Sequence, residues 1–187
     1  MRLLIVGPPG AGKGTQAAVI AGKLGVPHIA TGEIFRANVA DATPLGRQAR
    51  SYMDEGELVP DTVTNAMVID RLELADARQG FLLDGYPRNA DQADVLAAFL
   101  ADHGQQLDVV VQLVVDDEHV LERLLERARQ QGRTDDTHEV IRHRLDIYHA
   151  STEPLIDYYR ERDVLRTVDG IGSIEDVTAR ILALLPS

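Results

Sequence analysis

An α/β fold, with a parallel sheet of five strands and helices on both faces, is what the sequence predicts. Three observations carry this. Short apolar runs alternate with longer segments of helical periodicity from end to end, the pattern of strand–helix–strand crossovers. The runs are apolar at successive positions, as strands buried on both faces are. A Gly/Pro-rich loop separates the first run from the first helical segment.

Arg2–Val6 (RLLIV) opens the chain as a buried strand, and Gly7–Gly14 is the loop. Lys13–Leu24 reads as a helix stopped by Gly25 and Pro27, and His28–Ala30 as a short strand or loop end. Glu33–Val39, Leu45–Glu55 and Asp61–Leu74 read as helices, broken at Pro44, Gly56 and Pro60. Phe81–Asp84 is a second buried strand, followed by a helix at Ala90–Ala101. Leu107–Val115 is rich in β-branched residues and is the clearest strand of all. His119–Arg129 is helical, with Val120, Leu121, Leu124 and Leu125 on one face, and Gln130–Thr137 is a polar loop. One helix is expected from His138 to Tyr159, kinked at Pro154. Val164–Val168 is a strand, and Ser173, with Asp176 three residues on, starts a last helix ending before Pro186. The stretch from about Thr31 to Glu73 is a long helical excursion between two strands, read as a small subdomain standing outside the sheet.

Composition narrows the function. The 187 residues carry 44% apolar side chains, enough for a sizeable core, but only 4% aromatics and no Trp, so Leu, Val, Ile and Ala must do the packing. There is no Cys, which rules out disulfides and thiolate metal sites. No stretch approaches the ~18 apolar residues of a membrane span, and the N-terminus runs straight from strand into loop, so a cytoplasmic protein is expected. The net charge of −11 disfavours nucleic acid and anionic membrane as partners. Clustered arginines in an acidic body suit a small, highly charged anion.

The loop Gly7-Pro8-Pro9-Gly10-Ala11-Gly12-Lys13-Gly14-Thr15 follows a strand and opens a helix. Backbone N–H groups freed by glycines, a helix N-terminus and one lysine together make a phosphate cradle, a P-loop. Its hydroxyl falls at Thr15, one place later than in the general motif, because Gly14 follows the lysine. Gly10, Ala11, Gly12, Lys13, Gly14 and Thr15 are the candidate triphosphate-binding residues.

This variant of the loop resembles that of the nucleoside monophosphate kinases. Thr31-Gly32-Glu33-Ile34-Phe35-Arg36 resembles their monophosphate-site motif, Asp84-Gly85-Tyr86-Pro87-Arg88 their strand-end signature with Gln92 beyond it, and Arg133-Thr134-Asp135-Asp136 the base of their mobile lid. The likeness spans essentially the whole chain in the right order. Thr31 and Gln92 are similar to the choices of the adenylate kinases. A glutamine amide pairs both an acceptor and a donor of adenine. Thr31 also stands where a helix cap would, and Gln92 where an ordinary exposed helix residue would.

The resemblance implies reversible phosphoryl transfer from Mg-ATP to AMP giving two ADP, which keeps adenine nucleotides in balance, by a monomer. It implies a P-loop fold with a core of residues 1–30, 60–126 and 138–187, a monophosphate-binding subdomain at 31–59 and a lid at 127–137. Only five residues separate Arg127 from Arg133, so the lid is of the short type and no zinc is expected. His138 and His143 are five apart and do not share a helix face. The implied AMP-side residues are Thr31, Arg36, Glu57, Leu58, Val59, Gly85, Tyr86, Pro87, Arg88, Gln92, Arg133 and Arg144. Arg127 joins the loop on the ATP side, with Gly172 as a seat for the ATP base, although Gly170–Gly172 also reads as an ordinary turn.

ATP and AMP bring about six negative charges together, so several cations must converge, and arginine's planar fork suits phosphate oxygens. Lys13, Arg88, Arg123, Arg133 and Arg144 are the catalytic candidates. Arg123 and Arg127, four apart, share a helix face. Asp84, at the end of a strand, is the candidate for orienting Mg²⁺ through water; a strand-end cap is its plainer reading. A UMP/CMP kinase on the same scaffold and a non-catalytic nucleotide switch are the alternatives.

Overall fold

The structure is a computed structural model describing residues 1–131 and 137–186. Residues 132–136, the middle of the expected lid, lie outside the described residues. Strands β1 (Arg2–Val6), β2 (His28–Ala30), β3 (Phe81–Asp84), β4 (Val109–Val114) and β5 (Leu165–Asp169) form one parallel sheet in the order β2-β3-β1-β4-β5. The central β1 pairs Leu3 with Leu82 on one side and with Val109 on the other. The helices are α1 (Lys13–Leu24), α2 (Thr31–Ala40), α3 (Pro44–Glu55), α4 (Asp61–Leu72), α5 (Ala90–Asp102), α6 (Asp117–Gln131), α7 (His138–Ile147), α8 (Leu155–Arg160) and α9 (Ile174–Leu182).

The two-residue period of a strand divides the core into two layers. Leu3 and Ile5 of β1 join Val109, Val111 and Leu113 of β4 in the layer with α1, α6, α7 and α9. Leu4, Val6, Leu83 and Val110 point the other way, into the layer with α4, α5 and α8. Both faces of the central strands are therefore dry, which is why they read as continuous apolar runs. Gln16 stitches α1 to α9: its amide donates to the Ile174 carbonyl at 3.1 Å and accepts from the Thr178 hydroxyl at 2.7 Å. Phe35, Ala49 and Val59 form a third apolar nucleus, with Leu45, Met53, Val63 and Met67 against it. The excursion between β2 and β3 thus has a small core of its own.

The expected single helix from His138 to Tyr159 is corrected. α7 ends at Ile147, a π-helical turn covers Tyr148–Thr152, and α8 begins only at Leu155. Pro154 supplies no N–H to a preceding turn, and the Thr152 hydroxyl donates to the Arg88 carbonyl at 2.8 Å, drawing this turn toward the end of β3. A short 3₁₀ turn at Ala75–Ala77 was not foreseen. α6 runs two residues past its expected end, into Gln130 and Gln131. Among the described residues no helix is long and apolar enough to cross a membrane.

Candidate active site

A parallel α/β sheet holds ligands beyond the carboxyl ends of its strands. Here the ends of β1, β2 and β3 and the turn after β5 open into one cavity of about 780 Å³, toward the large end of the roughly 300–1,000 Å³ usual for small-molecule sites.

The loop after β1 forms its floor. Gly12 is the N-cap of α1 in the left-handed region (φ 92°), and no side chain caps the helix. Its first-turn N–H groups thus remain donors for an anion. Gly10 has φ +81°, and a Cβ there would lie 2.7 Å from Leu124 Cγ, so only glycine lets the loop pass beneath α6. Lys13 Nζ donates to the carbonyls of Gly7 at 2.8 Å and Pro8 at 2.7 Å. Burial pulls the Lys13 ammonium down to about 8; Asp84 opposes this, and Arg88 and Arg127 add to it. Ala11, Gly14 and Thr15 complete this side, and Thr15 is exposed.

Opposite stands the turn after β3. Thr31 begins α2 without capping it, because the N-cap is Ala30 with no side-chain bond. The cap alternative therefore falls. The Thr31 hydroxyl donates instead to the Gly85 carbonyl at 3.0 Å. The same carbonyl accepts from Arg88 Nε at 2.8 Å. Gly85 has φ +80°, and a Cβ on it would come within 2.7 Å of Thr31 Oγ1. Only a glycine lets Thr31 and Arg88 converge there. Burial lowers the Arg88 pKa, with Asp84 opposing and Arg144 adding to the lowering. Arg36, Glu57, Leu58, Val59, Pro87 and Gln92 also line the cavity.

Tyr86 is not among the side chains lining this cavity. It is 1% exposed, packed in the layer with α4 and α5. Its hydroxyl donates to Asn65 Oδ1 at 2.8 Å and lies 3.1 Å from the Gln92 carbonyl, and burial raises its pKa. Gln92 is 2% exposed, not an exposed helix residue. Its Oε1 accepts from the Arg88 backbone N–H at 2.8 Å, and its Nε2 donates to Asp61 Oδ1 at 2.7 Å.

The arginines close the cavity from above. Arg123 and Arg127 of α6 both line it, and Arg123 donates from both terminal nitrogens to the Gly170 carbonyl at 3.3 Å. Arg144 of α7 reaches across to the Met53 carbonyl at 3.2 Å, and its neighbour His143 meets Glu57 at 2.6 Å. α7 is thus tied to α3 at Met53 and to the loop after it at Glu57. Arg133 lies outside the described residues. Gly172 (φ +132°) lines the far end with Ile174 and Val177. Those two apolar residues, and Phe35, Met53 and Tyr148, were not foreseen. Phe35 lies within the Thr31–Arg36 motif itself, while Met53 and Tyr148 stand near the end of α3 and just past α7, and Ile174 and Val177 in the first turn of α9.

Asp84 lines the cavity between the two sides. Its Oδ2 would sit 3.4 Å from a Cβ on Gly14, which places the carboxylate against the start of α1. His28 Nε2, 3.8 Å from the same oxygen, is buried with no hydrogen-bond partner among the described residues. Among those residues no group of three or more His, Cys, Asp or Glu could hold a metal. One carboxylate beside a phosphate cradle fits Mg²⁺ carried on phosphates and touched through its hydration shell.

Comparison with known proteins agrees. A family model described as adenylate kinase matches residues 5–164. The chain is similar to the adenylate kinase of Thermobifida fusca, 57% identical over 187 residues (100% of this chain and 99% of that one). It is also similar to that of Micrococcus luteus, 58% identical over 181 residues (97% and 88%), and of Kocuria rhizophila, 57% identical over 184 residues (98% of each). With its phosphate loop, its second basic pocket and this likeness along its whole length, the chain belongs to the adenylate kinase family.

Proposed function

We propose that the chain transfers the γ-phosphoryl group of ATP reversibly to AMP, giving two ADP. The observation that carries this is a single cavity with two phosphate-binding sides, Lys13, Arg123 and Arg127 with the loop on one, Arg36 and Arg88 with Thr31 and Gln92 on the other. A nucleotide switch has no use for the second side. The bond from phosphorus to the β-phosphate oxygen breaks as one to an AMP phosphate oxygen forms. The attacking AMP oxygen is already ionised near neutral pH, and the leaving bridge oxygen becomes an ionised phosphate oxygen of ADP, so no general base is required.

In this reading Gly10–Thr15 hold the ATP phosphates, with Lys13 against the β- and γ-groups. Gly172 seats the ATP base. Arg36 and Arg88 hold the AMP phosphate, with Gly85 and Pro87 shaping the pocket, while Glu57, Leu58, Val59, Thr31 and Gln92 surround the AMP base. Arg123, Arg127 and Arg144, with Arg133, neutralise the charge on the transferring group. Mg²⁺ bound with ATP, oriented by Asp84 through water, would supply further neutralisation of the β- and γ-phosphates. The 31–59 subdomain closes over AMP and keeps water from competing as acceptor. The Glu57–His143 and Met53–Arg144 contacts link the end of that subdomain to α7. The reading places the enzyme in the cytoplasm as a zinc-free monomer.

A coupled assay with AMP, UMP, CMP and GMP as acceptors tests it. AMP is expected to be used far faster than the others. A preference for UMP or CMP would make this a pyrimidine kinase.

A further inference from the structure

An amide side chain looks the same to packing whichever way round it sits, but not to hydrogen bonding. Gln92 must present its oxygen and nitrogen in one order to pair adenine, whose N6 donates and whose N1 accepts. The flipped order pairs hypoxanthine or guanine, whose O6 accepts and whose N1–H donates. Discrimination among purines therefore depends on what holds the Gln92 amide in place.

We propose that Asp61, the first residue of α4, is a positioning residue that locks the Gln92 amide and so sets the preference for a 6-amino purine over a 6-oxo purine. This rests on the assignment of Gln92 to the AMP base. The lock follows from partners that can each play one part only. The Arg88 backbone N–H, 2.8 Å from Gln92 Oε1, can only donate. The ionised Asp61 carboxylate, with Oδ1 2.7 Å from Gln92 Nε2, can only accept. One N–H and one lone pair of the buried amide remain for the base; with the 6-substituent against Oε1 and N1 against Nε2, that order is the one adenine needs. Flipping the amide would set two donors face to face at Arg88 and two acceptors face to face at Asp61.

Asp61 is held in turn. Its Oδ2 accepts from Asn89 Nδ2 at 2.9 Å, and Asn89 caps α5 by accepting the Gln92 backbone N–H on Oδ1 at 2.9 Å. The cap fixes which end of Asn89 faces Asp61, so Asp61 meets an N–H donor on each oxygen. An asparagine at 61 has one oxygen only. Facing Asn89 with it, it turns its own NH₂ toward Gln92. The resident Gln92 order then has one mismatched pair, at residue 61, and the flipped order also has one, at Arg88. The two orders become nearly balanced.

The test compares wild type, Asp61→Asn, Asp61→Ala and Gln92→Ala, reading kcat/KM with AMP and with inosine monophosphate at saturating ATP, the KM for ATP, and thermal unfolding. A mismatched buried pair costs enough to change a ratio by about tenfold or more. The AMP:IMP preference is expected to fall at least about tenfold in Asp61→Asn, with the KM for ATP unchanged. Asp61→Ala leaves the Arg88 half of the lock and is expected to discriminate better than Asp61→Asn, although it removes more contacts. A merely structural role predicts the reverse order, in both discrimination and unfolding temperature. If Gln92→Ala abolishes the preference and Asp61→Asn keeps it, the lock is overturned while the base assignment stands. If Gln92→Ala leaves the preference intact, the base assignment falls and the lock with it.

Discussion

Lys13 sits at an unusual acidity for a lysine, and the consequence is measurable on the intact protein. Burial brings its pKa down to about 8, against 10.5 for an ordinary lysine. A phosphate placed on Nζ must raise that value again, because an opposite charge favours the ammonium. ATP binding above pH ~8 therefore takes up a proton. At a pH of about 8.5, a group with this pKa is roughly one quarter protonated, so binding should take up about 0.7 proton per site, and close to 0.1 at a pH of about 7. The sign for affinity follows. Above pH ~8 the free site has lost the proton that the complex keeps, so binding weakens as pH rises, toward tenfold per unit. Isothermal titration calorimetry of ATP in buffers of differing ionisation enthalpy measures the uptake directly. Lys13→Arg is the control, because arginine keeps its proton over this range. The uptake at high pH is expected to vanish in that variant. Equal uptake in both proteins would refute the reasoning and assign the proton to another group.

Two further substitutions test the packing that builds the site. Gly85→Ala forces φ +80° on a residue with a Cβ, at about 1–2 kcal/mol, and drives that Cβ to 2.7 Å from Thr31 Oγ1. The KM for AMP should rise well above that for ATP in steady-state assays; a parallel rise in both would show a general loosening. Leu96→Ala empties a fully buried position in the α5 layer and is expected to cost about 2–5 kcal/mol. That corresponds to a fall of roughly 5–15 °C in Tm, read by circular dichroism.

Most of the scaffold was legible in the chain because its strands are dry on both faces and its breaks are glycines and prolines. β1, α1 and β3 begin and end where Arg2–Val6, Lys13–Leu24 and Phe81–Asp84 place them. The phosphate loop was legible for the same local reason. What was hidden depends on contacts between distant residues. The π turn at Tyr148–Thr152 answers to the carbonyl of Arg88, 64 residues away in sequence. Tyr86 lies inside a motif whose neighbours line the cavity, yet its ring packs beneath them. Alternation at the end of a strand does not say which side chain turns inward once the chain leaves the sheet. Asp61 carried no signal at all, because it reads as the acidic first-turn residue of any helix.

The electrostatics of the cavity explain why so acidic a protein gathers its cations in one place. Arg88 and Arg127 lower the Lys13 pKa, and Arg144 lowers that of Arg88, so these groups repel one another, with Asp84 opposing the lowering at both Lys13 and Arg88. That repulsion is a cost to the folded chain, and in the proposed reaction the arriving phosphates would relieve it further. One nucleotide relieves part of it and two relieve more. In the proposed reaction the relief would be greatest where the charge on the transferring group is shared between both sides, making the interactions stronger in the transition state than with either substrate alone, as catalysis requires. The chain as a whole carries a net charge of −11, so its other residues are more acidic still: such a surface disfavours large polyanions, while a basic cavity admits an anion small enough to fit within it.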